Sequence, residues 1–236
     1  MTDPTPFTLI DGDFRGRLVL TCEHAGDLLP PPWSWPEGDA RLIGTHWACD
    51  IGADSFTRRL AATLDAPAVL SNFTRLLVDP NRPLDSETLF RLEADGEPVW
   101  LNATLDDADR RKRIDDYYHP YHAASSRMVR KSSAEIVFGV HTFTSNYEGN
   151  QRALEVGILF DREEDLGHSL VAHLQDAGFV SAPNEPYSGK DGLAYAPVLH
   201  ANEYGRRAVE IEVRQDLVIQ EEFAAKLAGA LGSFFS

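Results

Sequence analysis

Five short apolar runs, each of strand length, alternate along this chain with segments of helical periodicity. The runs are Arg17–Cys22 (RLVLTC), Ala66–Asn72 (APAVLSN), Glu135–Val140 (EIVFGV), Leu154–Phe160 (LEVGILF) and Ala208–Val213 (AVEIEV). A helical pattern runs from about Asp50 to Leu64, where Phe56, Leu60 and Leu64 recur at i, i+4 and i+8. A second runs from Leu105 to Lys131, interrupted near Pro120 because proline removes a helix hydrogen bond. A third covers Glu163–Ala177, with Leu166, Leu170 and Leu174 on one face. The last carries Phe223, Leu227 and Leu231, with Asp216 as its expected cap. The segment Leu28–Gly38 (LLPPPWSWPEG) is loop. Strands alternating with helices predict an α/β protein with a mainly parallel or mixed sheet flanked by helices. No linker or repeat divides the chain, so residues 1–236 are expected to form a single domain.

Charge narrows the partners. The chain carries 22 basic and 37 acidic residues, a formal net charge of -15. Nucleic acid and anionic membrane surfaces call for a basic footprint, so neither is an expected partner. Two cysteines, Cys22 and Cys49, are too few for a disulfide scaffold and too far apart for a CxxC motif; both read as free thiols. The N-terminus has neither a basic region nor an apolar core of the signal-peptide kind, and no run approaches the roughly 18 apolar residues of a membrane span. A soluble, cytoplasmic protein is expected.

Ligands of open α/β sheets bind beyond the carboxyl ends of the strands. Two histidines fall there: His24, after the first apolar run, and His141, after the third. A catalytic zinc takes three protein ligands and keeps one position open. From the residues alone, Asp50, Asp27 and His46 stay equal as the third ligand; His46 and Asp50 have the i, i+4 spacing of one helix face. The run Val209–Arg214 (VEIEVR) puts Glu210, Glu212 and Arg214 on one strand face. Interior α/β strands are expected to be apolar on both faces, so three ionic groups there point to a cleft or an edge, with a glutamate as general base beside the metal. Asn81 and Arg82 follow Asp79-Pro80 in a turn-like setting that suits bidentate capture of a carboxylate, with Arg75 and Arg214 as further candidates. Tyr117, Tyr118, Tyr121 and His122 form an aromatic cluster. No HExxH, GxSxG, GxGxxG or Walker A motif occurs.

Taken in order, CEHAG (22–26), HWACDIGA (46–53), TRLLVDPNRP (74–83), YYHPYH (117–122), VHTFT (140–144), NEPYSG (184–189) and EIEVRQDL (210–217) resemble the N-formylglutamate amidohydrolase family, in the form of a divergent branch. The resemblance implies a three-layer α/β/α, zinc carboxypeptidase-like (phosphorylase/hydrolase-like) fold with a mixed central sheet. It implies zinc held by His24, Asp50 and His141, with Glu212 as general base and Glu210 as the alternative. Asn81 and Arg82 would hold a substrate carboxylate, and Arg75 would bind substrate or polarise the carbonyl. The implied reaction removes the formyl group, or another acyl group, from an N-acyl amino acid such as N-formylglutamate, a step of histidine breakdown. The alternatives are hydrolysis of another small amide and a non-catalytic module that binds acylated amino acids.

Overall fold

The structure, a computed structural model, describes residues 5–147 and 149–236. Seven strands form one mixed sheet: β1 (Phe7–Ile10), β2 (Leu18–Cys22), β3 (Ala68–Ser71), β4 (Ile136–Phe143), β5 (Val156–Leu159), β6 (Ser181–Pro183) and β7 (Arg207–Arg214). Their order across the sheet is β1-β3-β2-β4-β7-β5-β6. Strands β3, β2, β4 and β7 run parallel; β1 joins β3 antiparallel, β5 joins β7 antiparallel, and β6 runs parallel to β5. The five apolar runs are all strands. The two outermost, β1 and β6, carry no apolar run, because an edge strand pairs on one side only and is short here.

One face of the sheet is covered by α1 (Ala53–Leu64), α4 (Glu164–Asp176) and α6 (Glu221–Phe235). Phe56 and Leu60, Leu166, Leu170 and Leu174, and Leu227 and Leu231 pack there on Leu20, Leu70, Phe138 and Ile211. Each fully buried leucine contributes about 1.5–3 kcal/mol relative to exposure. The other face meets α3 (His119–Lys131), α5 (Tyr195–Glu203) and the irregular segment 73–101; Tyr121, Met128 and Val129 pack there with Leu77 and Val78 on Val19, Val69 and Val137. The architecture is therefore three-layer α/β/α, as expected.

Several boundaries differ from the sequence reading. Helix α1 begins only at Ala53, because Gly52 takes a left-handed φ of 86° that breaks the helical path. Asp50 and His46 consequently lie in the preceding turns and share no helix face. The pattern over 105–131 resolves into α2 (Asp107–Arg113), a π-helical turn at Ile114–Tyr118, and α3, whose first turn takes Pro120. Proline is tolerated there because the first N–H groups of a helix lack intrahelical partners. Asp216 is not the cap of the C-terminal helix. It lies in a separate helical turn, Gln215–Val218, and pairs with Arg214 at 2.9 Å, while Gln220 precedes α6. Among the described residues, no helix is long and apolar enough to cross a membrane.

The second sheet face changes character along its strands. Alternation takes Val19 to Thr21 on β2, Val137 to Gly139 and His141 on β4, and Ala208 to Glu210 and Glu212 on β7. Apolar residues thus sit under the helices, and polar ones gather at the carboxyl ends of the parallel strands. Strand β7 is interior rather than an edge, so its charged side opens on a cleft.

Candidate active site

Strand β2 ends at Cys22 and hands Glu23 and His24 to the cleft. The backbone N–H of Asp50 donates to the His24 carbonyl at 2.9 Å, tying the turn before α1 to the loop after β2. The same turn is held from the other side, because Arg75 N–H and the Thr74 hydroxyl both donate to the Ala48 carbonyl. Gly26 lies against the backbone of Asn72 with no room for a Cβ, so the loop after β2 can reach this depth only with glycine. His141 lies inside β4, not at its end, since the strand continues to Phe143; it is in register with Glu212 of β7.

These connections bring His24, Asp50 and His141 together. The His141 Nδ1 lies 2.8 Å from Asp50 Oδ2, and the His24 Nδ1 lies 3.5 Å from Asp50 Oδ1. The rings meet edge to face, with centroids 4.8 Å apart. The far nitrogens are both held by carboxylates: His24 Nε2 by Asp79 at 2.7 Å, and His141 Nε2 by Glu23 at 2.8 Å. Glu23 in turn accepts from the Tyr121 hydroxyl at 2.9 Å. Arg75 donates to Asp79 from Nε and Nη2, at 3.2 and 2.8 Å, and its Nη1 is 3.4 Å from Asp50.

Carboxylates dominate the electrostatics of this cluster. Burial alone would raise every carboxyl here. At Asp79 the charges of Arg75 and His24 overturn that and hold the group well below its usual range. At Asp50 and Glu23, contacts with the histidines likewise overturn burial and lower both. Burial also opposes protonation of His141, but Glu210, Asp50 and Glu23 reverse its effect and push the imidazole well up. Two carboxyls are left under-compensated. Glu210 is pushed up to about 7, first by burial, and Glu212 is raised well above the ordinary range for the same reason, with Asp50 and Glu210 adding repulsion.

The residues fit a metal ion. One ligand atom from each of His24, Asp50 and His141 lies within 4.8 Å of the others, and all three residues are buried. Tetrahedral ligands at about 2.0–2.1 Å from zinc lie roughly 3.3 Å apart, a separation bracketed by the 2.8 and 3.5 Å spacings to the two Asp50 oxygens. The His24 Nδ1 is buried without a hydrogen-bond partner, an orphan acceptor turned to its neighbours in the triad. A carboxylate on the far nitrogen of each histidine is the support that fixes tautomer and ring orientation in metal sites. A second group, Glu23, His141 and Glu210, also lies within 4.8 Å, but it uses the nitrogen already held by Glu23. Asp27 is exposed and belongs to neither group, and His46 also lies outside both.

A cavity of about 190 Å³ opens over the triad, lined by His24, Asp50 and His141 together with Arg75, Asn81, Arg82 and Glu212. Glu212 is buried, and its Oε2 has no hydrogen-bond partner. Its neighbour across the ladder on β5 is Gly157, where a Cβ would collide with the Glu185 carbonyl; glycine lets the loop after β6 close over the glutamate. Glu210 points deeper, to His141 Nε2 at 3.4 Å and Asn81, and does not line the cavity. Asn81 is engaged structurally: its Oδ1 accepts from Ala196 N–H at 2.9 Å, and its amide donates to the Leu193 carbonyl. Arg82 is half-buried, with Nη1 donating to the Asn81 carbonyl and Nε to the Thr88 hydroxyl. Arg214 does not line the cavity. Its guanidinium is taken by Asp216 and the Arg152 and Ala153 carbonyls, because β7 ends as it emerges from the cleft. The sequence reading passed over Glu23 and Asp79, although each adjoins a motif residue. It also passed over Trp47, Arg91, Tyr147 and Tyr187 on the cavity wall, which come from loops with no periodicity.

A model of the N-formylglutamate amidohydrolase family matches residues 16–219. Among solved structures, the gene product Atu2144 from Agrobacterium tumefaciens is 30% identical, with a TM-score of 0.91 over 98% of this chain and 94% of that one. The N-formylglutamate amidohydrolase from Ralstonia eutropha JMP134 is 21% identical, with a TM-score of 0.68 over 98% of both chains. A bacteriophage poly-gamma-glutamate hydrolase shares the fold at 12% identity, with a TM-score of 0.50 over 100% of this chain and 92% of that one. No curated protein sequence matches this chain. A family match spanning most of the chain, together with a cluster of buried histidines and carboxylates at its strand ends, identifies the protein as a member of the N-formylglutamate amidohydrolase family.

Proposed function

We propose that the protein is a zinc-dependent amidohydrolase that cleaves the acyl amide of an N-acylated acidic amino acid. The observation that carries this reading is the unpartnered, buried Glu212 carboxylate on the wall of the cavity that also exposes His24, Asp50 and His141. Zinc is the metal that suits two imidazoles and one carboxylate with a position left open. When bound, such an ion supplies a Lewis acid that acidifies water and polarises a carbonyl.

The chain's own groups divide the remaining work. Glu212 takes the proton of the attacking water and returns it to the departing amine. Burial raises its pKa above the ordinary carboxyl range, the direction that makes a carboxylate a stronger proton acceptor. Arg75, fixed by Asp79, is a charged donor beside Asp50 on the cavity wall, suited to the oxyanion that develops on the carbonyl. Arg82 takes the substrate carboxylate: its guanidinium lies on the cavity wall and is held by a carbonyl and a hydroxyl rather than by an acid. Asn81 supports it through its own backbone carbonyl and through the start of α5.

Release of free amino acid from N-formyl-, N-acetyl- and longer N-acyl-glutamates tests this reading, with Glu212→Gln as the comparison. Glutamine keeps the shape but accepts no proton, so kcat is expected to fall by about 100-fold or more while zinc is retained. Turnover near the wild-type level would remove Glu212 from the reaction.

A further inference from the structure

The cleft extends past the cavity over the triad. That cavity, about 190 Å³, continues into an outer groove of about 550 Å³, and His46, Trp47, Arg91 and Tyr147 line both. The inner cavity alone is smaller than the roughly 300–1,000 Å³ typical of small-molecule sites, and the outer groove brings the cleft within that range. Asn81, Arg82 and Glu212 line only the inner part. An amino acid whose carboxylate sits at Arg82 and whose amide sits over the triad therefore directs its acyl side toward the groove.

Arg91 stands at the junction. Its guanidinium lies over the Trp47 ring, 5.1 Å from the centroid, and the residue is half-buried. Arg75 has two carboxylate partners, whereas among the described residues none is within ion-pair distance of Arg91. Burial and the nearby charges of Arg75 and Arg82 both weigh against its positive charge. A guanidinium kept charged in such a place, with a flat ring beneath it, is suited to receiving a carboxylate. His46 packs against the same Trp47 with its ring tilted by 36° and the centroids 4.8 Å apart, and its buried Nε2 has no hydrogen-bond partner. Beyond them the groove turns acidic: Glu93 and Asp95 line it, and Asp95 accepts from Trp47 Nε1 at 3.0 Å. An anionic group that reached that far would be repelled, so the arm that fits is short.

We propose that the outer groove is a subsite for the acyl part of the substrate, and that it takes a short acyl chain ending in a carboxylate, bound by Arg91 against Trp47. The proposal rests on the amide-hydrolase reading for its orientation. N-succinylglutamate and N-butyrylglutamate, arms of equal length with and without the carboxylate, are the probes. Calorimetric titration into zinc-loaded Glu212→Gln protein separates binding from turnover. The succinyl compound is expected to bind about tenfold tighter or more, the range of a hydrogen bond to a charged group. Adding Arg91→Gln should erase that ratio and leave butyryl affinity within about twofold; adding Arg91→Lys, which keeps the charge and the fold but not the planar fork, should leave an intermediate ratio. Equal binding of the two probes, or equal weakening of both by the Arg91 changes, would overturn the proposal. Failure of wild-type protein to hydrolyse any N-acylglutamate would sink the amide-hydrolase reading while leaving the binding ratio to stand or fall on its own.

Discussion

Both nitrogens of His141 are held by carboxylates, whereas His24 is held at Nε2 and leaves its buried Nδ1 unpartnered beside Asp50. Polar partners at the rings, rather than apolar packing alone, set the orientation of both histidines. Arg82 is a sharper test at the same scale. Arg82→Lys keeps the charge but loses the planar two-pronged donor. For an N-acylglutamate, kcat/KM is expected to fall by about one to two decades, matching the roughly 1.5–3 kcal/mol of hydrogen bonds to a charged group. The amide-capped analogue, already poor, should lose little more; equal losses for both would make Arg82 structural. Much of this residue-level picture was legible in the sequence. His24 and His141 stood beside apolar runs, Glu212 on an alternating strand, and Arg82 in a turn. The supporting carboxylates of Glu23 and Asp79 were not, because nothing local shows which nitrogen of a histidine faces which acid. Arg214 misled because alternation gives a residue's face but not where its strand leaves the cleft.

At the scale of elements, apolar runs and 3.6-residue periodicity located every interior strand of the sheet and the helices α1, α3, α4 and α6. The edge strands and α5 were passed over. Helix α5 carries a proline, two polar residues and a histidine in nine residues, so its periodic signal is weak. It matters nonetheless, because His200 of α5 and His122 of α3 are joined ring to ring at 3.0 Å in the second core. Burial, with His200 adding repulsion, pushes His122 down to about 3, and burial lowers His200 as well. An unfolded histidine titrates near 6.5. Both pKa values are depressed on folding, so the pair's contribution is complete above about pH 6.5 and is lost as pH falls toward the folded values. Replacing His122 with Gln should therefore flatten the pH dependence. The loss in urea-unfolding stability between pH 7.5 and 5.5 should shrink by about 1 kcal/mol, since each such group contributes up to about 1.4 kcal/mol per pH unit. An unchanged loss would mean that the pair takes up protons without unfolding.

The whole molecule places its acidic excess unevenly. Much of the net charge of -15 is at the surface, yet Glu23, Asp50, Asp79, Glu210 and Glu212 are all buried at one end of the sheet, with Arg75 as the guanidinium in direct contact with their cluster. Burying that many carboxyls without a counter-charge costs several kcal/mol per ion. The fold brings them together from β2, the turn before α1, the segment after β3, and β7, which meet only in the folded sheet. No single motif of the sequence therefore announces the cluster. The divalent cation proposed at His24, Asp50 and His141 would offset that excess. Elemental analysis of zinc per chain, in purified wild-type protein and in His141→Ala, tests it most directly. Close to one zinc per chain is expected in the wild type and almost none in the variant, which would lack one of the three proposed ligands and expose Asp50 to water. Equal zinc in the two proteins, or none in a wild-type protein that still hydrolyses N-acylglutamates, would contradict it.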